Sequence, residues 1–230
     1  MARKDSEITV VVSSRRNDEE GNKFIDSIKD TVGCKTNVVF IVNDGAMPLS
    51  KVYYDMMNND GISSDIIVFC HDDIEFLKSG WGQEVINLFH RNKKFGIIGV
   101  AGSAQFDAMG AWWNYKRRFG QVLHKHDGKS WLTAFSPLLT KDLEEVCVID
   151  GLFMAVKRSR ISRNFDPDLP GFDFYDIDFC LSNYLSGKTK IGVTTNIRLA
   201  HRSVGELSDN WYKNRDIVNE KYIDEYPIEV

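Results

Sequence analysis

The chain has 230 residues, 43% of them hydrophobic and 27% charged, which is enough to bury a sizeable core. A formal net charge of -4 leaves no basic excess to neutralise phosphates, so there is no electrostatic case for a nucleic acid partner. No apolar run is long enough to span a bilayer, and Cys34, Cys70, Cys147 and Cys180 are too widely spaced for a zinc knuckle or a redox pair.

The start, "MARKDSEITVVV", lacks the apolar core and small-residue cleavage site of a secretory signal. With the free thiols it points to the cytosol, where short basic groups such as Lys116-Arg117-Arg118 leave open a peripheral position at the inner membrane face. "ITVVVSS" (8 to 14) reads as a fully buried strand, β-branched and ending in small polar residues. "DEEGNKFIDSIKDTV" places Phe24, Ile25 and Ile28 at helical spacing behind an acidic first turn. "NVVFIVND" (37 to 44) reads as a second buried strand, "LSKVYYDMMNN" (49 to 59) as a second helix and "DIIVFCHDD" as a third strand. "WGQEVINLFHRN" then gives a third helix and "FGIIGVAGSA" a fourth strand.

This alternation predicts an α/β fold with a Rossmann-like, mostly parallel central sheet flanked by helices. The second half loses the alternation. "FGQVLHK", "KSWLTAFSPLL", "EEVCVIDGLFMAVKR" and "TKIGVTT" read as mixed or antiparallel strands, "FDFYDIDFCLSNYLSG" (172 to 187) as a helix stopped by Gly187, and "DNWYKNRDIVNEKYIDEY" as a helix packed across the body. With no repeat or linker, residues 1–230 are expected to form one domain of two halves, 1–105 and 106–230.

Ligands of open α/β sheets sit beyond the carboxyl ends of the strands. Ser13, Ser14 and Arg15 end the first strand, Asn43, Asp44 and Gly45 the second, and His71, Asp72 and Asp73 the third, so three polar clusters are expected on one rim. Each alone fits a helix cap or a turn. Together, with adjacent carboxylates that repel one another, they suggest a site that attracts positive charge. Strand alternation puts His71 and Asp73 on one side, able to share a divalent cation, and leaves Asp72 on the other for a ribose hydroxyl or a cap. Imidazole suits Mn²⁺ better than Mg²⁺.

The order of "ITVVVSSR", "VVFIVND", "SDIIVFCHDDIEF", "VIDGLFMAVKR", "FDFYDIDFCLS" and "IRLAHRSVGE" resembles the family 2 type of glycosyltransferase with the GT-A fold, especially small bacterial and viral members, over residues 7 to 206. The resemblance implies that Ser13, Ser14 and Arg15 line a nucleotide pocket and that Asn43 or Asp44 meets the base or ribose. It implies that His71-Asp72-Asp73 stands in the place of Asp-x-Asp, and that His201 completes the metal site with His71 and Asp73. Where the family has Glu-Asp this chain has Tyr175-Asp176, so Asp176 is expected as catalytic base, with Asp178 supporting the site. Asp150 and Gly151 would lie near the donor sugar, although a hairpin turn uses the same dipeptide. Trp112 and Trp113 fit either an acceptor-sugar platform or the core.

The activity implied is inverting, metal-dependent transfer of a sugar from a nucleoside diphosphate sugar, of UDP or GDP type, to a hydroxyl of a glycan or lipid-linked glycan in polysaccharide biosynthesis. A nucleotidyltransferase would need a Gly-rich loop that "SSRRNDEEG" does not offer, and "GKT" at 187 to 189 lacks the rest of a P-loop. The alternative is a nucleotide- or glycan-binding domain of the same fold without turnover.

Overall fold

A computed structural model describes residues 8–230 except Pro137, Leu138, Thr140, Val204 and Glu206. Pro137 and Leu138 of the expected "KSWLTAFSPLL" strand, Val204 and Glu206 of "HRSVGE", and the charged N-terminal residues therefore lie outside the described residues.

In chain order the first half comprises β1 (Ile8–Ser14), α1 (Glu19–Thr31), β2 (Thr36–Val42), α2 (Leu49–Met57), β3 (Ile66–Cys70), β4 (Ile74–Phe76), α3 (Trp81–Arg91), β5 (Phe95–Gly99), β6 (Ala101–Ser103) and β7 (Gln105–Phe106). The second half comprises β8 (Arg118–His126), β9 (Lys129–Ala134), β10 (Glu144–Val146), β11 (Val148–Ile149), β12 (Phe153–Lys157), α4 (Tyr175–Leu185), β13 (Lys190–Val193), β14 (Leu199–His201), α5 (Asp209–Tyr222) and β15 (Ile228–Glu229).

The main sheet has seven strands in the order β10-β13-β5-β12-β3-β1-β2. Strands β2, β1, β3, β5 and β13 run one way, and β12 and β10 run against them. The expected sheet is thus present, with one change at its centre. β12, from the second half, is inserted antiparallel between β3 and β5, which are successive in the chain among the strands of this sheet, with β4 and α3 between them. A second sheet, β11-β6-β8-β14-β4 with β9 on β8, lies beside it.

The strands form where the sequence is β-branched and apolar on both faces, as a sheet covered on both sides demands. Val10, Val11, Val12, Ile67, Val68 and Phe69 are fully buried. Each such side chain contributes about 1.5–3 kcal/mol of transfer free energy. β2 departs from expectation: it is an edge strand, with Asn37 and Val42 exposed and its other residues only partly buried.

The helices follow local chemistry. Asp18 caps α1 by accepting from the Glu20 and Gly21 amides, both at 3.1 Å, and Ser208 caps α5 through the Trp211 amide. α4 has no side-chain cap. It begins instead at Phe174, buried and held at φ +63°, a left-handed conformation rare for a bulky residue. No helix among the described residues is long and apolar enough to cross a membrane.

Candidate active site

Register brings the polar strand ends to one level. Ser14 of β1 lies opposite Val42 of β2, and Val12 lies opposite Cys70 of β3, so Ser13 and Ser14, Asn43, and His71 follow at the same rim. The Asn43 amide donates to the Ser14 carbonyl at 2.7 Å, closing that edge. Because β12 runs antiparallel with Phe153 opposite Cys70, its start reaches the same rim, where the His71 amide donates to the Leu152 carbonyl at 3.1 Å. β14 adds His201 opposite Ile74 of β4.

A cavity of about 510 Å³ opens there, lined by Ser13, Ser14, Arg15, Arg16, Asn43, Tyr53, His71, Asp72, Asp73, Phe172 and Ser203, among others. Asn43 lines it, but its side chain is already engaged with the Met47 amide and carbonyl, so it shapes the loop after β2. Asp44 is exposed, accepts from the Ala46 amide at 3.3 Å and is not among the lining residues.

β3 ends at Cys70, yet His71 and Asp73 still converge while Asp72 turns away. Asp72 accepts a hydrogen bond from Ser14 Oγ and faces Arg16 Nε at 3.8 Å. His71, Asp73 and His201 each offer one ligand atom within 4.8 Å of the others. Asp73 Oδ1 lies 3.3 Å from His201 Nε2 and 3.9 Å from His71 Nδ1. Ligands in neighbouring positions around an ion bound at roughly 2.1 Å stand about 3 Å apart, so small movements would seat one.

Asp73 Oδ1 is buried with no aligned hydrogen bond, so the positive charge it calls for comes either from a protonated His201, 3.3 Å away, or from a cation that takes the place of that proton. Burial alone would raise the Asp73 pKa, but His201, Ser203 and His71 hold it below the usual carboxylate range. Burial would likewise depress His201, and the Asp73 carboxylate outweighs it and raises the imidazole. For His71 burial prevails over the pull of Asp73 and favours the neutral ring, the form that ligates metals. Two imidazole nitrogens and a carboxylate oxygen at these distances fit a divalent cation, which on binding would displace the proton that Asp73 favours on His201.

Asp176 opens α4. Its Oδ2 accepts from the Gly151 amide at 2.7 Å and its Oδ1 from the Ile177 amide at 2.8 Å. Burial first, and the nearby Asp150 carboxylate second, push its pKa up to about 7, against the two amides. Asp150 closes the turn before β12 by accepting from the Leu152 amide. Gly151 is needed for space: a Cβ there would lie 2.1 Å from the Tyr175 hydroxyl.

Other expected residues fall elsewhere. Asp178 is buried and bonds Lys221 Nζ at 3.0 Å and the Tyr222 hydroxyl at 3.1 Å, so it anchors α5 rather than supporting the site. Trp112 packs edge-on against Phe135 with 4% of its surface exposed, which leaves no face for a sugar and settles its alternatives in favour of the core. Trp113 is half-buried beside Trp211. Tyr53, Phe172 and Ser203 are not singled out by the sequence, and Arg16 stands out there only as half of the short basic group Arg15-Arg16. Arg16 adjoins Arg15 and Ser203 follows His201 by two residues, signals that proximity to named residues carries.

The fold is shared with solved glycosyltransferases of the GT-A type. GalNAc-T7, solved with UDP, GalNAc and Mn²⁺, superposes with a TM-score of 0.58 at 10% identity, over 96% of this chain and 49% of that one. TarS of S. aureus gives 0.57 at 9% identity, over 95% and 40%. The catalytic domain of Drosophila β1,4-galactosyltransferase 7, in complex with xylobiose, gives 0.55 at 11%, over 91% and 79%. The chain therefore spans less than half of GalNAc-T7 and of TarS. No curated protein matches it in sequence. Residues 8–222 match the glycosyltransferase-like family, and the chain belongs to that family.

Proposed function

We propose that the protein is a metal-dependent transferase that moves a sugar from a nucleoside diphosphate sugar to a hydroxyl of a glycan or lipid-linked glycan, with inversion. The observation that carries this is the convergence of His71, Asp73 and His201 ligand atoms within 4.8 Å of one another, with His71 and Asp73 in the wall of the rim cavity. GalNAc-T7, solved with UDP and Mn²⁺, and β1,4-galactosyltransferase 7, solved with manganese and UDP-Gal, support Mn²⁺ and a UDP-type donor. A GDP-type donor is the other candidate. The cavity draws on both halves of the chain, from Ser13 to Ser203, which supports one domain with a nucleotide-binding half and an acceptor and catalytic half.

In this reading Ser13, Ser14, Arg15 and Asp72 receive the nucleotide, and Asp150 and Gly151 border the donor sugar. Asp176 takes the proton of the acceptor hydroxyl as that oxygen bonds the anomeric carbon and the bond to the diphosphate breaks on the opposite side. A pKa of about 7 suits this work, since a base titrating near the working pH combines ionisation with proton affinity. The ion, when bound by His71, Asp73 and His201, supplies positive charge for the departing diphosphate.

Thermal shift with UDP, GDP, dTDP, ADP and CMP, each with and without Mn²⁺, tests the reading. Stabilisation by one nucleotide that needs Mn²⁺ and vanishes in Asp73→Ala is expected. Absence of any shift would reject the metal-dependent donor site.

A further inference from the structure

His71 just after β3 and Tyr175 at the start of α4 touch although they lie 104 residues apart in the chain. The Tyr175 hydroxyl lies 3.0 Å from His71 Nε2. Its location is fixed from several sides. Tyr175 is 5% exposed, its ring packs edge-on against Tyr53 of α2 at 5.5 Å, and the missing Cβ of Gly151 leaves the space that the hydroxyl occupies. On the other side of the imidazole, Nδ1 faces Asp73 Oδ1.

A neutral imidazole has one lone-pair nitrogen, and the partner of its other nitrogen decides which one it is. We propose that Tyr175 is a positioning residue of the metal site: its hydroxyl oxygen accepts the Nε2–H of His71, which leaves the Nδ1 lone pair turned toward Asp73 and His201. This rests on the metal-binding reading above. A phenol suits the task better than a carboxylate would. A Glu at 175 would add negative charge beside Asp176, whereas the Tyr175 phenol adds none.

Tyr175→Phe removes the hydroxyl and keeps the ring against Tyr53. Mn²⁺ affinity of the metal-stripped protein is measured by electron paramagnetic resonance titration and calorimetry, and the His71 tautomer by ¹⁵N NMR on the metal-free protein. Wild type should show the Nε2–H tautomer and Asp73-dependent Mn²⁺ binding. Tyr175→Phe should lose that tautomer preference and weaken binding by roughly 10- to 100-fold. A packing role alone would lower the metal-free Tm and leave Mn²⁺ affinity unchanged. The inference is overturned by an Nδ1–H tautomer in wild type, or by a Kd in Tyr175→Phe within about threefold of wild type, the margin set well below the usual outer-shell effect. Wild type that binds no better than Asp73→Ala would instead reject the metal site itself, and the inference with it.

Discussion

Asp176 receives two backbone N–H groups, which favour its charged form, and still titrates near 7, because burial and the Asp150 charge outweigh them. That balance makes two pH predictions. Between about pH 4, where an unfolded aspartate titrates, and about 7, the native state holds a proton that the unfolded chain has released. Stability attributable to this residue therefore falls as pH rises through that window. Asp176→Asn removes the slope, so its Tm minus that of wild type should be smallest near pH 4 and grow to a plateau above 7. In wild type, kcat/KM should rise with pH on an acidic limb set by the same group. Asp176→Asn should lower transfer by roughly 10²- to 10⁴-fold while leaving the nucleotide-dependent thermal shift intact. Retained transfer would remove Asp176 from the role of base.

The turn between β11 and β12 meets the first turn of α4 at a contact that a single methyl group would break. Gly151→Ala places Cβ 2.1 Å from the Tyr175 hydroxyl and 3.1 Å from Asp176 Cβ, and neither can retreat into a packed interior. Overpacking of this kind costs typically 1–3 kcal/mol, which chemical denaturation would detect, and transfer should fall further than stability because the base moves with the helix. Elements of this sort divide what was legible in the sequence from what was not. β1, β3 and helices α1 to α4 were readable because continuous β-branched apolar runs and helical spacing are local signals, and so was the rim, because parallel strands of one sheet end together. The place of β12 between β3 and β5 was not, since pairing between distant segments leaves no local signature. Nor was the edge position of β2, whose apolar run resembles that of a central strand. Asp178 was misplaced for the same reason: the Lys221 and Tyr222 that claim it come from α5, 43 and 44 residues away. Lys221→Met would leave that buried carboxylate with Tyr222 alone, and a loss of stability of about 1–3 kcal/mol is expected by denaturant titration.

Across the whole molecule the site gathers carboxylates from separate elements, with Asp72 and Asp73 in the cavity wall and Asp150 and Asp176 at the β11–β12 turn and α4. Arg15 and Arg16 line the same cavity, but Arg16 already faces Asp72 and Glu20, and Arg15 lies over the Phe172 ring. A diphosphate entering this pocket alone meets like charge. A divalent ion between Asp73 and the two imidazoles reverses that, so ion and nucleotide should each raise the affinity of the other, and by the same factor, because linkage is reciprocal. The prediction is quantitative. If the coupling is about 1–3 kcal/mol, Mn²⁺ should tighten UDP binding by roughly 5- to 150-fold, and UDP should tighten Mn²⁺ binding equally. In Tm, each kcal/mol of linked binding shifts a chain of this size by about 2–4 °C, so the shift with both ligands should exceed the sum of the separate shifts. Calorimetric titration of each ligand in the presence and absence of the other measures both arms. Strictly additive shifts would mean that the ion and the diphosphate do not share this pocket, and would separate His71, Asp73 and His201 from donor binding.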